Sequence, residues 1–340
     1  MKNIMNYTRK ELEKEIELLG EKKFKATQVF EWIYKHQIYD FKEMQNVALD
    51  FRQKLSENFE FKWIEIEKVE EDSLTKKFLF KLVDGEYIEA VLMSHDYGLS
   101  VCVSSEVGCN MHCAFCESGR LGKKRNLEAY EIVEQIILIE KYIKTKINSI
   151  VVMGIGEPFD NYDELMRFIK IINDEKGINI GSRHITVSTC GIIPKIKEFS
   201  ENPEQVNLAI SLHAPTNEIR NKLMPVNKVY NLDVLIPTIK AYIAKTGRRV
   251  TIEYVMLKMV NDRVADAHAL AKLLKGLNVY VNLIPYNETD AGDFKKSDKS
   301  SIDAFYDTLK KDGINVTVRR EFGGKITAAC GQLRSKEGHK

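Results

Sequence analysis

Apolar positions change their period along this chain, and the changes divide it. Between residues 1 and 58 they fall at helical spacing. Leu12, Ile16 and Leu19 follow a capping box at Thr8-Arg9-Lys10-Glu11, Gly20 is placed to end that helix, a second helix carries Val29, Trp32 and Ile33, and a third Leu49 and Leu55. The period then becomes two. Phe78, Phe80 and Leu82 alternate with polar or smaller neighbours, Asp84-Gly85 is a hairpin turn signal, and 87–93 reads as the returning strand. Beyond Leu99, short β-branched runs at 99–103, 149–153, 184–188, 206–211, 249–255, 279–284 and 314–318 alternate with amphipathic stretches. One of these, 127–142, turns Ile132, Val133, Ile136 and Ile137 inward.

Such alternation predicts an α/β fold of parallel strands joined by right-handed crossovers. Six repeats are too few for a closed eight-stranded barrel. The expectation is a partial (β/α)6 barrel with a small N-terminal helical domain and a β-hairpin extension. The boundaries expected are 1–58 for the helical accessory domain, 59–94 for the hairpin linker, 95–325 for the barrel core and 326–340 for a C-terminal segment. In such folds reacting groups stand at the C-terminal ends of strands. The residues falling there are the cysteine loop after the first strand, Gly156 and Glu157 after the second, Ser188 ending the third, Ser211 and His213 ending the fourth, and Asn287 after the sixth.

Composition narrows the setting. With 51 basic and 49 acidic side chains the net charge is +2, so contact with a polyanion must come from local patches. No apolar run reaches the roughly 18 residues a spanning helix needs, and residues 1–12 lack a signal-peptide core, so the chain reads as soluble and cytoplasmic with no membrane partner. Six cysteines, three of them within eight positions, do not form a disulfide framework; they suit a reducing compartment.

Those three carry the chemistry. Cys109, Cys113 and Cys116 stand in Gly108-Cys109-Asn110-Met111-His112-Cys113-Ala114-Phe115-Cys116. At a cysteine frequency of about 0.018, chance would yield this spacing roughly 0.002 times in a chain of this length. Structural zinc wants four closed ligands. An iron-sulfur cubane held by three thiolates keeps one iron open to substrate. Cys102, Cys190 and Cys330 could each supply a fourth thiolate, but none is paired in a second short knuckle, which favours the open cluster over a zinc ribbon.

The cysteine spacing, with Phe115 before the last cysteine, resembles the radical S-adenosylmethionine (SAM) superfamily. Val101-Cys102-Val103-Ser104-Ser105, Met153-Gly154-Ile155-Gly156-Glu157-Pro158, Ser211-Leu212-His213-Ala214-Pro215, Asn282-Leu283-Ile284-Pro285-Tyr286-Asn287 and Ala328-Ala329-Cys330-Gly331-Gln332-Leu333 narrow it to the RlmN/Cfr family of adenine-modifying RNA methyltransferases. The match runs in order over nearly the whole chain. The resemblance implies a 4Fe-4S cluster on Cys109, Cys113 and Cys116. It also implies SAM on Gly156, Glu157, Ser188, Ser211, Leu212, His213 and Asn287, with Gly156 and Glu157 at the methionine amino end. Cys330 is then methylated by one SAM, and a second is cleaved to a 5′-deoxyadenosyl radical that takes hydrogen from the S-methyl group. The methylene radical adds to adenine, Glu89 accepts a proton, and Cys102 attacks to form a transient disulfide and free the base. A carbon radical can add to an electron-poor sp² carbon where polar displacement cannot, and the cofactor carries that chemistry.

Read without the resemblance, Glu89 would be a solvated strand residue, His213 a satisfied structural histidine, and Cys330 a buried thiol packing as a small hydrophobe. Cys190 reads as structural. Glu106 departs from the glutamine of the family pattern, and Lys325 and Thr327 from its acidic residues. Short basic clusters recur at Lys22, Lys23 and Lys25; Lys76 and Lys77; Lys123, Lys124 and Arg125; Arg248 and Arg249; Arg319 and Arg320. Such clusters are usually solvated faces, but the first three together would make a phosphate-contacting surface with the N-terminal domain as an RNA clamp. The reading closest to these motifs is the RlmN type: methylation of adenine C2 in 23S rRNA, with tRNA as a second substrate and a reducing electron donor such as flavodoxin. The alternatives are C8 methylation of the Cfr type and a non-catalytic iron-sulfur or zinc RNA-binding protein.

Overall fold

The chain opens with a two-residue strand, β1 (Lys2–Asn3), and three helices, α1 (Arg9–Leu18), α2 (Phe24–Tyr34) and α3 (Leu49–Asn58). The computed structural model describes residues 1–120, 122–289, 293–319 and 332–333; Cys330, Lys325, Thr327 and Arg320 lie outside the described residues. Thr8 caps α1 as expected: its hydroxyl accepts the Glu11 N–H at 3.2 Å, and the Glu11 carboxylate accepts the Thr8 N–H at 2.8 Å. Gly20 follows the helix with φ +76°, a conformation glycine adopts without strain. Strand β2 (Phe59–Glu60) pairs with β1 and closes this unit.

Three antiparallel strands follow, β3 (Glu65–Asp72), β4 (Thr75–Lys81) and β5 (Tyr87–His95), and β5 pairs with β6 (Gly98–Val103). Where the pattern predicts a hairpin linker, the structure has three strands continuous with the main sheet. Strand β3 is the addition. Its sequence, Glu-Ile-Glu-Lys-Val-Glu-Glu-Asp, shows no apolar alternation because it is the sheet edge, where charge discourages pairing with another chain.

After β6 come a small antiparallel pair, β7 (Glu106–Val107) with β8 (Arg125–Asn126), and then the repeating units. These run α4 (Ala129–Ile143), β9 (Ser149–Val152), α5 (Tyr162–Asn173), β10 (Ile185–Thr189), α6 (Ile193–Phe199), β11 (Asn207–Ser211), α7 (Asn217–Leu223), α8 (Leu232–Thr246), β12 (Val250–Met256), α9 (Val264–Leu274), β13 (Val279–Pro285), α10 (Lys299–Lys311) and β14 (Val316–Val318). The sheet order is β14-β13-β12-β11-β10-β9-β6-β5-β4-β3, parallel from β6 to β14. Among the described residues its two end strands do not pair with each other, so the barrel is partial, as the count of repeats predicts.

Strand alternation gives this sheet two unlike faces. Phe78, Phe80, Ile88, Ala90, Val101, Val103, Ile150, Val152, Ile185, Val187, Leu208, Ile210, Val250, Ile252, Val281 and Leu283 belong to one continuous apolar core shared with the helices. That core also contains Ile16, Phe30, Ile33 and Leu55, so the N-terminal helices pack on the barrel's outer layer. The residues in between, Lys77, Glu89, Cys102, Ser188, Ser211, Glu253 and Asn282, have the opposite parity and share the inner face. Burial of the outer face against helices therefore leaves the inner face free to carry polar and reactive groups.

Candidate active site

The cysteine loop leaves β6 and is closed at its base by β7 pairing with β8. Gly108 has φ +77°, and a Cβ there would sit 1.8 Å from the Gly122 carbonyl oxygen, so only glycine allows the two ends of the loop to cross. Within the loop the Ala114 N–H donates to the Leu223 carbonyl at 2.9 Å, and His112 Nδ1 to the Gly119 carbonyl at 3.1 Å. Cys109 is buried, while Cys113 and Cys116 are partly exposed; all three line a pocket at the C-terminal ends of the parallel strands. Burial pushes the Cys109 thiol up to about 12 and that of Cys113 well above its ordinary value.

The opposite wall comes from the turn after β9. Gly154 and Gly156 stand here because a Cβ on either would strike the chain after β6: 2.7 Å from the Val103 carbonyl group, and 2.6 Å from Cβ and Cγ of Glu106. The close approach that these glycines allow is of one loop to another. Glu157 is buried and satisfied. Its Oε2 accepts the Cys190 N–H at 2.7 Å and its Oε1 the Phe159 N–H at 3.1 Å, while burial raises its carboxyl above the ordinary range. The Thr189 and Cys190 side chains also donate to it, so its two oxygens are engaged within the protein and a further donor in the pocket would have to share them.

Ser188 and Ser211 meet across β10 and β11, Oγ to Oγ at 3.3 Å. His213, at φ +56°, is held by three contacts. Its Nδ1 accepts the Val255 N–H at 3.0 Å, its carbonyl accepts Asn261 Nδ2 at 2.8 Å, and its ring lies edge-on to Phe115 with centroids 5.0 Å apart. Because Nδ1 is an acceptor, the proton resides on Nε2. Burial, reinforced by the nearby Arg220 charge, depresses its pKa to about 3, so the ring is neutral.

The pocket thus gathers Cys109, Cys113, Cys116, Gly156, Glu157, Ser188, Ser211 and His213. Leu212 turns its side chain into the core, and Asn287 lies one residue beyond the pocket-lining Tyr286. Cys102 and Glu89 sit apart from this lining but on the same inner face. Cys102 packs with Val91, Met93, Ile155 and Leu333, and Met153 touches both this cluster and the pocket. Glu89 is buried, not solvated, and pairs with Lys77 at 3.4 Å. Cys330 lies outside the described residues.

Sequence reasoning missed two contributors, Arg220 and Glu253, and read a third, Cys190, as structural. Arg220 is completely buried and donates to the carbonyls of Cys190 (2.6 Å), Leu212 (3.2 Å) and Tyr230 (3.2 Å), tying the loops after β10 and β11 together. Glu253 lines the pocket from β12 with its carboxyl raised by burial and accepts Asn282 Nδ2 at 2.9 Å. Cys190 also lines the pocket. For Glu253 and Asn282 a signal existed: each is the polar member of an otherwise alternating apolar strand.

The basic clusters are largely self-paired. Lys124 meets Glu86 at 2.7 Å, Arg125 meets Asp84 at 2.6 Å and Glu131 at 2.7 Å, Lys76 meets Glu71, and Lys25 meets Glu21 at 2.5 Å. The more exposed pairs, Lys124–Glu86 and Lys76–Glu71, are worth about 0–1 kcal/mol, so a phosphate can displace the carboxylate, whereas Glu131 and Glu21 are largely buried in theirs.

Comparison with known proteins fits this geometry. Residues 2–61 match the model of the ribosomal RNA large subunit methyltransferase N-terminal domain, and residues 103–271 that of the radical SAM superfamily. The chain is 52% identical over 341 residues to the probable dual-specificity RNA methyltransferase RlmN of Spiroplasma citri, covering 99% of this chain and 98% of that protein. The chain belongs to the RlmN family. An RlmN relative from Acholeplasma laidlawii is 52% identical, with 98% of this chain and 99% of that protein covered. The crystal structure of a radical SAM methyltransferase from Sphaerobacter thermophilus superposes with a TM-score of 0.92 at 40% identity, covering 98% of this chain and 99% of that one.

Radical SAM enzymes use a 4Fe-4S cluster and SAM. The donor set here fits: three thiols on one wall, and a carboxylate, two hydroxyls and a neutral imidazole on the others. Among the described residues no three acidic, histidine or cysteine side chains converge on a point that one ion would occupy. Thiols bound to separate irons of a cubane have no need to converge on one point. Metal binding would deprotonate thiols that burial keeps neutral.

Proposed function

We propose that this chain methylates C2 of adenine in 23S rRNA and in tRNA through a methylated Cys330. Cys109, Cys113 and Cys116 would hold the cluster, and Gly156, Glu157, Ser188, Ser211, Leu212, His213 and Asn287 would hold SAM. When bound, the two groups supply the methyl group and the carbon radical. The protein's own side chains do the rest. Cys330 carries the carbon that becomes linked to the base. Glu89 takes the C2 proton, and the one electron that radical addition leaves in excess would pass to the cluster. The Cys102 thiolate attacks the linking sulfur, an S–S bond forms, and the S–C bond breaks with its electron pair left on the methylene carbon, which takes up a proton to become the methyl group.

One observation carries this reading: Leu333, three residues after Cys330, is buried against Cys102 on the inner face, and its carbonyl accepts Ser118 Oγ at 2.9 Å from the cysteine loop. Three residues span at most about 11 Å, so the chain's own length keeps Cys330 within reach of Cys102 and of the pocket. The Nε2–H of neutral His213 suits the carboxylate of a zwitterionic ligand, and the Glu157 carboxyl lines the same pocket. The N-terminal helical unit, with the exposed Lys23–Glu17 pair, would be the RNA clamp.

The test separates the two cysteines. Cys330→Ala should accept no methyl from labelled SAM and form no RNA adduct. Cys102→Ala should be methylated, add to adenine and stall with RNA attached, visible on a denaturing gel. Turnover by Cys102→Ala, an adduct with Cys330→Ala, or 8-methyladenosine in place of 2-methyladenosine by mass spectrometry would overturn the reading.

A further inference from the structure

Glu106 is the most deeply buried acid beside the pocket. It leaves β7 directly beneath the turn 154–158, and its Cβ and Cγ occupy the space that Gly156 vacates. Its Oε2 accepts the Glu157 N–H at 2.9 Å. Its Oε1 lies 2.7 Å from Nζ of Lys123, forming an ion pair. The Lys123 ammonium also meets Asp160 Oδ2 at 2.8 Å, in the 3-10 turn Pro158–Asn161 that starts beside Glu157. The Lys123 backbone N–H donates to Oδ1 of Asn110, the residue after Cys109, at 3.1 Å.

These contacts form a circuit: the cysteine loop holds Lys123, Lys123 holds Glu106 and Asp160, and Glu106 holds the Glu157 amide. A glutamine at 106 could accept that amide equally well. The charge at 106 is required only because Lys123 arrives there, with its side chain 14% exposed and the alternative acid, Asp160, 38% exposed. Removing either partner of a buried pair leaves the other uncompensated, whereas replacing both by neutral groups need not destabilise.

We propose that Glu106 and Lys123 are a positioning pair that locks the cysteine loop to the turn 154–158 and thereby fixes the orientation of Glu157 toward SAM. This rests on the reading of Glu157 as part of the SAM site. The pair touches no reacting atom; it acts through Glu157 and through the loop.

The variants are Glu106→Gln, Lys123→Met and the two combined, each purified and reconstituted anaerobically. Iron and sulfide content, thermal midpoint, SAM affinity by equilibrium dialysis, and the electron paramagnetic resonance spectrum of the reduced cluster with and without SAM are measured. Each single variant should keep its iron and sulfide but bind SAM about tenfold more weakly and show a smaller SAM-induced spectral change. The double variant should return to within about threefold of the native affinity, as coupled partners do. Native affinity in both single variants, or a double variant no better than the worse single one, would overturn the pairing. If SAM affinity falls only in step with iron content or thermal midpoint, the role is merely structural and the proposal fails. Native protein with a full cluster that binds no SAM would instead refute the site assignment itself, a result the variants cannot mimic.

Discussion

His213 shows how a single burial decides a chemical state. Its ring is enclosed, its Nδ1 already accepts a backbone N–H, and Arg220 adds positive charge nearby, so protonation is opposed from every side. With a folded pKa of about 3 against about 6.5 in the unfolded chain, the unfolded state alone takes up a proton as pH falls below 6.5. Stability from this group is therefore complete above pH 6.5 and declines toward pH 3, at no more than about 1.4 kcal/mol per pH unit. Nitrogen-15 NMR of histidine-labelled protein should find His213 neutral, protonated on Nε2, and not titrating between pH 5 and 8. A titration midpoint near 6.5 would show the pocket to be wetter than the geometry requires. The residue names in this pocket were legible from the motifs. The neutrality of the imidazole was not, because it depends on Val255 and Arg220, which reach it only in the folded chain.

At the level of elements, strand periodicity was the reliable signal, since an outer face buried against helices forces apolar residues at every second position. All seven parallel strands fall where the β-branched runs predict them. The edge strand β3 escaped notice because an edge does not need that pattern, and Arg220 escaped because an arginine on a seven-residue helix looks solvated until its five carbonyl and amide partners converge. The cysteine loop depends on neither periodicity nor helix propensity. Its shape is set by the β7–β8 pair, the Gly108 crossing and hydrogen bonds to neighbouring loops, so it should survive loss of a thiol. Cys109→Ala, Cys113→Ala and Cys116→Ala are each expected to keep the native circular dichroism spectrum and RNA binding while losing iron, sulfide and SAM cleavage. Gly108→Ala should do the reverse of this separation: with a methyl 1.8 Å from the Gly122 oxygen the loop must move, so cluster content and thermal midpoint should fall together. Stoichiometric zinc without sulfide in the native protein would contradict the assignment of the loop.

The whole molecule places its first and last functional segments against each other. β5 and β6 carry Glu89 and Cys102, and Leu333, far along the chain, packs against Cys102. Among the described residues, Leu333 joins the apolar cluster around Cys102 with its carbonyl accepting Ser118 Oγ, and Gln332 Nε2 donates to the Glu288 carbonyl at 3.1 Å. On the proposed function, the Leu333 anchor sets the efficiency of the last step more than the integrity of the fold. Truncating Leu333 to alanine removes a buried side chain at an expected cost of about 2–5 kcal/mol if the site stays rigid, and less where the neighbouring apolar side chains close in. The thermal midpoint, cluster content and SAM affinity of Leu333→Ala should stay close to native, while release of methylated RNA slows by about tenfold or more and covalent adduct accumulates transiently, because Cys102 meets the linking sulfur less often. Rapid-quench sampling on denaturing gels would show the adduct rise and decay. An adduct that never forms would place Leu333 upstream of base attack, and native kinetics throughout would show that the C-terminal segment finds Cys102 without it.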